Sequence, residues 1–174
     1  MKRISALLLA AVMLLCLVGC EEPAPATDPS GDPTNPDNGP KVENFTFTYN
    51  GTQIMLDADA APVIAALGEP KSYTEETSCA FDGLDKTYFY GSFYLSTYPM
   101  DGKDYVYTIW LVDDSIANED GVRIGNTQAQ VEAVYGADCF AGTNSYTQDK
   151  GESRLTILLE DGYVSSIQYE VIIN

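Results

Sequence analysis

The stretch "IMLDADAAPVIAALG", residues 54–68, contains the pattern that decides the predicted fold. A short apolar strand leads to Asp59, which is placed to cap a helix of about eight residues. Gly68 follows where a helix ends, and Pro70 blocks its continuation. The stretch therefore predicts a strand, a capped two-turn helix and a glycine stop.

The same pattern returns 68 positions later in "VRIGNTQAQVEAVYG", residues 122–136. Thr127 and Gln130 carry the signature of a capping box, and Gly136 takes the place of the first glycine stop. Helices of two turns are not stable alone in water, so each must lie against a sheet. The repeat predicts two copies of one helix-plus-sheet unit.

The last strands repeat as well, but with an offset of 58: "YVYTIWLV" at 105–112 matches "YVSSIQYE" at 163–170. The first copy is therefore ten residues longer, enough for one more strand and a turn. We predict an α+β fold of two tandem units, 43–112 and 113–174, each a short helix packed on a small antiparallel sheet. A unit of about 65 residues has a marginal core, so we expect the copies to pack together, with their two sheets continuous or side by side.

The N-terminus has the organisation of an export signal. A basic start precedes an apolar run of fifteen residues, Ile4–Val18, which is short for a membrane span of about 20 residues and is typical of a secretory signal peptide. The alternative is an N-terminal anchor helix. "LVGC", residues 17–20, resembles the lipobox of bacterial lipoproteins. That resemblance implies removal of residues 1–19, a lipid on Cys20, and an extracytoplasmic protein anchored to the bacterial cell membrane.

Residues 20–42 are predicted to be a lipidated, proline-rich tether. They contain six of the nine prolines and no aromatic residue. Such a segment cannot bury enough apolar surface to offset its conformational entropy, so we expect it to be disordered.

Charge limits the possible partners. Removing residues 1–19 takes away two of the nine basic side chains and none of the 26 acidic ones, so the mature net charge is −19. Such a chain repels nucleic acid and anionic lipid headgroups. We therefore expect no nucleic-acid partner, and contact with the membrane through the lipid only.

Two cysteines, Cys79 and Cys139, remain after Cys16 leaves with the signal and Cys20 is lipidated. In an exported chain, two remaining thiols can form one disulfide, which makes this pair the candidate bridge. The alternative is a pair of small buried hydrophobic side chains.

Residues 86–110, "KTYFYGSFYLSTYPMDGKDYVYTIW", hold nine of the nineteen aromatic residues. Strand alternation, carried over from the second copy, assigns them to two faces. The predicted core set is Phe89, Phe93, Tyr105 and Tyr107. The predicted open set is Tyr88, Tyr90, Tyr94, Tyr98 and Trp110.

The open set is the candidate partner-binding surface, because Tyr and Trp supply large, stiff contact areas with a polar tip. Two alternatives stay open. Aromatic residues are enriched in strands and pair across them, and the tether can fold back over the face.

The lipobox, the spacer and the tandem pattern "x-I-x-L/I-x-x-D/T-x-x-x-V-x-x-x-L/Y-G", followed by strands with "YV-x-x-I", resemble the β-lactamase inhibitor protein-like superfamily and the SmpA/OmlA-type lipoproteins of outer-membrane assembly. The resemblance covers residues 43–174. It implies tandem helix-plus-sheet units whose uncovered, concave sheet binds another protein through aromatic side chains, as an inhibitor or an adaptor. The resemblance implies which face of the sheet binds the partner, but it identifies no individual contact residue.

The sequence contains no histidine, which removes the commonest general base and every Ser-His or Cys-His nucleophile system. It also lacks CxxC, GxSxG, P-loop and GxGxxG motifs. We predict a protein that is not an enzyme and has no cofactor or metal. Its predicted function is protein binding. The alternatives are a glycan-binding or other small-ligand module, and a structural envelope protein without a tight ligand.

Overall fold

A computed structural model describes residues 43–173 of the 174-residue chain. The predicted signal peptide, the lipidation site Cys20 and the tether lie outside the described residues. Within residues 43–173 the order of elements is β1 (Thr46–Tyr49), β2 (Thr52–Met55), α1 (Ala60–Leu67), β3 (Ser72–Thr77), β4 (Leu84–Phe89), β5 (Phe93–Met100), β6 (Lys103–Leu111), α2 (Gln128–Tyr135), β7 (Ser145–Lys150), β8 (Ser153–Glu160) and β9 (Tyr163–Val171).

Seven strands form one antiparallel sheet in the order β3-β4-β5-β6-β9-β8-β7, and β1 pairs only with β2. The predicted α+β fold of two helix-on-sheet units is wrong: 47% of the described residues lie in strands and 12% in helices, in one seven-stranded sheet, a two-stranded sheet and two helices. The reason lies at the centre, where Thr108–Leu111 of β6 pair with Ile167–Glu170 of β9. This pairing covers edges that two separate sheets would leave open.

The repeated sequence nevertheless makes repeated hydrogen bonds. The Asp57 amide donates to the Val106 carbonyl (2.8 Å). In the second copy, Gly125 lies 68 residues after Asp57 and Val164 lies 58 residues after Val106, and the Gly125 amide donates to the Val164 carbonyl (2.8 Å). Both predicted helices are present. Asp59 caps the first by accepting from the Ala61 amide at 3.0 Å.

The second helix begins with the predicted capping box. The hydroxyl of Thr127 accepts from the Gln130 amide, and the side chain of Gln130 accepts from the Thr127 amide at 2.8 Å. Gly68 and Gly136 end the two helices with φ values of 77° and 103°, where a side chain would strain the backbone.

One face of the large sheet carries the core. The β1–β2 hairpin, both helices and the segment between β6 and α2 pack on it. Phe47 of the hairpin contacts the rings of Phe93 (5.5 Å) and Tyr169 (6.3 Å). The largest fully buried side chains of this core are Tyr169, Phe47, Phe93, Ile54, Leu56, Leu95, Ile109, Leu111, Leu155, Ile157, Ile167 and Val106.

Two β-bulges change which residues face the core. Ser96 of β5 pairs with Thr108 of β6, but the next residue, Thr97, pairs with Val106. Tyr107 therefore has no partner. The extra residue reverses the alternation on one side of the bulge. Val106 is therefore fully buried, whereas Tyr105 and Tyr107, predicted to be core, are only half-buried.

The additional strand of the first copy is β3, the strand that follows α1. β5 of the first copy corresponds to β8 of the second, because the pairing of each with the following strand shifts register at a bulge. This corrects the faces of β4. Tyr88 lies opposite Leu95 on the core face, and Phe89 lies opposite Tyr94 on the uncovered face. Phe93 is fully buried, as predicted.

Candidate functional site: an aromatic ladder on the uncovered face

The structure brings two of the five predicted partner-binding residues together on the uncovered face. Trp110 is 44% exposed, and Tyr94 lies directly opposite it on the next strand. The other three residues are elsewhere, and the prediction that they are open is wrong for each. Tyr88 is half-buried against the core. Tyr90 and Tyr98 are buried, with 8% and 6% exposed.

Burial explains what the two displaced tyrosines do. Tyr90 stacks on Phe93 at 5.3 Å, and its burial raises the pKa of its hydroxyl. Tyr98 packs against Phe81 at 4.8 Å, and its hydroxyl donates to the carboxylate of Asp57. Both side chains are largely buried, so neither belongs to the open surface around Trp110.

Phe89, predicted to be core, completes a row of three rings. Its ring stacks on Tyr94 with centroids 4.5 Å apart and planes at 25°, and Tyr94 stacks on Trp110 at 5.7 Å and 26°. The three residues are directly opposed across β4, β5 and β6. We call Phe89, Tyr94 and Trp110 the aromatic ladder.

A local signal in the sequence would have found Phe89. The turn between β4 and β5 consists of Gly91 and Ser92 alone, and Gly91 has φ 101°. A two-residue hairpin turn with glycine first fixes the register of its strands. That register places Tyr90 opposite Phe93, and hence Phe89 opposite Tyr94.

Trp110 links the ladder to the polar half of the face. Its indole Nε1–H donates to the hydroxyl of Ser166 on β9 at 3.1 Å. Leu158 lies opposite Ser166 and is 38% exposed. Beyond Trp110 the ladder's row continues across the remaining strands with Gln168, Thr156 and Thr147. Aromatic and polar halves of one sheet face therefore meet at the indole.

Charges on the polar half are paired at its edge. The guanidinium of Arg154 makes two bonds to Asp149, at 2.7 and 3.0 Å. The hydrogen bond from Arg154 lowers the pKa of the Asp149 carboxyl below its usual range. The bidentate geometry orients both side chains along the face. The ladder itself contains no charged residue.

The predicted Cys79–Cys139 disulfide is absent, and both cysteines are free. Cys79 follows β3 at one edge of the sheet, whereas Cys139 precedes β7 at the other edge. Seven strands spaced about 4.8 Å apart put these edges tens of ångströms from each other, far beyond the roughly 6.8 Å between the Cα atoms of a disulfide. Burial raises the pKa of the Cys139 thiol, while Cys79 is exposed, so the alternative of two buried thiols also fails for it.

Other kinds of site find no support in the part of the chain that the structure describes. Within residues 43–173 no three His, Cys, Asp or Glu side chains group closely enough to hold a metal ion. In the same range no helix is long and apolar enough to cross a membrane.

Comparisons with known proteins give little guidance. No protein-family model matches the chain, and no curated protein matches it. A solved structure with some similarity is the 1.5 Å crystal structure of an extracellular protein containing a SCP domain from Bacillus anthracis str. Ames, at 11% identity and a TM-score of 0.42. The match covers 71% of this chain and 47% of the other. A likeness at this level carries no functional argument.

Proposed function

We propose that this protein is an extracytoplasmic lipoprotein that is anchored to the cell membrane through Cys20 and binds another protein with its aromatic ladder. The observation that carries the proposal is the alignment of three stacked rings on the uncovered face, ending in a tryptophan that is 44% exposed. The lipobox-like sequence "LVGC" at residues 17–20 supports the anchor.

The ladder has the physical properties of a binding hot spot. Stacking holds each ring by its neighbours and by the strand beneath it, so little side-chain entropy is left to lose on binding. Tyr94 and Trp110 combine apolar area with polar tips. Truncation of such a residue to alanine at a hot spot weakens binding by about 2 kcal/mol or more. The neighbouring Thr156 and Gln168 supply hydrogen-bonding groups for a rim.

Ring geometry distinguishes a protein partner from a glycan. A sugar stacks on a free ring face, but Tyr94 has a ring on each side and presents mainly its edge. Glycan binding is therefore left to the outer rings, Phe89 and Trp110. A protein side chain can pack against ring edges as well as faces, so the stacked row favours a protein.

Site-specific photocrosslinking tests the proposal in intact producing cells. A photoreactive phenylalanine analogue replaces Trp110 in one variant and Tyr73 in a matched control. Tyr73 is also 44% exposed, but it lies opposite Tyr88 on the core side of the sheet. We expect a discrete crosslinked protein from position 110 that is lost when Tyr94→Ala is added, and no such product from position 73.

Two outcomes would contradict protein binding at the ladder. One is an identical set of products from positions 110 and 73. The other is a large change in Trp110 fluorescence on titration with cell-wall glycans together with no crosslinked protein. Because Trp110 is the chain's one tryptophan, the fluorescence reports on the ladder directly.

The anchor is tested separately with Cys20→Ser. The thioether to the lipid cannot form without the cysteine thiol, so we expect the variant to leave the membrane fraction. Cys79→Ser serves as the control and should stay with the membrane. Retention of the Cys20→Ser protein in washed membranes would contradict anchoring through that residue.

A further inference from the structure

A second site lies at the end of the sheet where β5 turns into β6 and β9 ends. A cleft of about 320 Å³ opens there, within the range of pockets that hold small ligands. The apolar side chains of Phe81, Met100 and Val171 form much of its wall. The aromatic ladder occupies the opposite ends of β5 and β6, so the cleft is separate from the surface proposed above.

Two carboxylates converge on the cleft. Asp57 and Glu152 both line it, together with Tyr98. Tyr98 donates its hydroxyl to Asp57 Oδ1. Burial, this hydrogen bond and the charge of Asp57 raise the pKa of Tyr98, so its hydroxyl stays a donor.

The negative charge of the cleft is not compensated by its own wall. None of the described residues that line it is Lys or Arg. Four ion pairs occur among residues 43–173, and none involves Asp57 or Glu152. Asp59, two residues further along the chain, differs in this respect, because its carboxylate forms an ion pair with Lys103 at 3.0 Å.

Asp57 adopts a backbone conformation that favours glycine. Asp57 has φ 63°, and its counterpart in the second half is Gly125 with φ 83°. Both amides donate to equivalent carbonyls, those of Val106 and Val164. A side chain in this conformation costs roughly 1 kcal/mol that glycine avoids. The first half therefore keeps a carboxylate at a position where the fold is satisfied by glycine.

We propose that this cleft binds a small organic cation, a primary ammonium group on an apolar body, with the ammonium held between Asp57 and Glu152 and the body packed on Phe81 and Met100. An ammonium offers three hydrogen-bond donors to the two carboxylates. The aromatic rings of Phe81 and Tyr98 attract a nearby cation. A hard divalent ion fits poorly, because it takes six or more oxygen ligands and gains nothing from apolar walls.

Titration calorimetry on the full chain in non-ionic detergent tests the proposal, with benzylammonium as the probe. Benzyl alcohol is the neutral control of nearly the same shape. We expect saturable binding of benzylammonium and at least roughly tenfold weaker binding of the alcohol, since charge-assisted hydrogen bonds supply the difference.

The double variant Asp57→Asn/Glu152→Gln keeps the size of both side chains and removes both charges. It should weaken benzylammonium binding roughly tenfold or more. Asp161→Asn, in the turn between β8 and β9, is the matched control and should bind normally. If Asp57→Asn does not fold, Asp57→Gly replaces it, because the second half already uses glycine there.

Three results would overturn the proposal: no saturable heat with benzylammonium, equal affinity for benzyl alcohol, or unchanged affinity in the double variant. Binding of Nα-acetyl-lysine methylamide without binding of benzylammonium would likewise overturn it, because the cleft would then recognise a lysine side chain of a partner protein and not a small organic cation.

Discussion

Tyr107 and Ser165 hold the same place in the two halves of the sheet: each is the unpaired residue of a β-bulge, in β6 and β9 respectively. Next to each bulge, a valine enters the core, Val106 with none of its surface exposed and Val164 with 2%. The bulges thus set the alternation of both strands.

Deletion of Ser165 tests this role. Without the extra residue, Val164 would turn to the opposite face and leave the core. We expect a loss of about 2 kcal/mol or more in the free energy of unfolding, the usual contribution of a buried valine together with its packing. Urea unfolding followed by circular dichroism measures it. Ser165→Ala keeps the bulge and should stay within about 0.5 kcal/mol of the unaltered chain. Equal stability of the deletion and the substitution would show that the bulge does not control the alternation.

Tyr94→Ala should change the environment of Trp110. Removal of the stacked ring exposes one side of the indole to water, so we expect a red-shifted emission and stronger quenching by acrylamide. Tyr73→Ala, on the other side of the sheet, should leave both unchanged. A Trp110 spectrum that does not respond to Tyr94→Ala would contradict the stacking geometry.

Thr127→Ala should destabilise the second helix by about 1 kcal/mol, because it removes the acceptor for the Gln130 amide at the helix start. Thermal unfolding of the variant measures the loss. Thr127→Ser retains the hydroxyl and should recover most of it. If serine is as destabilising as alanine, the contribution comes from the threonine methyl group and not from the cap.

The bond between Asp59 and Lys103 predicts an acid-dependent contribution to stability. The hydrogen bond from Lys103, followed by that from the Ala61 amide, lowers the pKa of Asp59 below its ordinary value of 3.8. A carboxyl with a lowered folded-state pKa stabilises the fold above its unfolded pKa, and this contribution is lost as pH falls through the folded value. Asp59→Asn should therefore lower Tm at pH 6 and have little effect once the pH is well below 3.8.

Melting curves between pH 6 and pH 2 at low salt give the comparison, with Asp101→Asn as the control. Asp101 makes no ion pair in the described part of the chain. The Tm difference between Asp59→Asn and the unaltered chain should shrink as the pH is lowered, while that of the control changes less. A difference that grows toward low pH would contradict the assignment.

The sequence was most informative where a local rule applies. The helix caps, the glycine stops and the helices themselves follow from hydrogen-bonding rules within a few residues. The predicted caps are present at Asp59 and Thr127. The offsets of 68 and 58 also correspond to repeated hydrogen bonds.

Predictions failed where a residue's face depends on a distant strand. Alternation with a period of two does not allow for the extra residue at Tyr107 or at Ser165, so it assigns Tyr105 and Tyr107 to the core. The pairing of β6 with β9 joins residues about 60 positions apart, and no local signal predicts it. For that reason the sequence indicated two helix-on-sheet units where one sheet forms. Phe89 was assigned to the core for a different reason: its face was carried over from the second copy, whereas the local turn at Gly91 and Ser92 places it in the ladder.

The pairing of β6 with β9 has a consequence for how the chain folds. All other neighbours in the large sheet are consecutive strands, so β3 to β6 and β7 to β9 can each form from local hairpins. The two meanders then meet through four residue pairs, Thr108–Leu111 with Ile167–Glu170. Contacts distant in sequence form slowly because a long loop must close first. The central joint, rather than any hairpin, should therefore be the late step of folding, and residues such as Ile109 and Ile167 should become protected last.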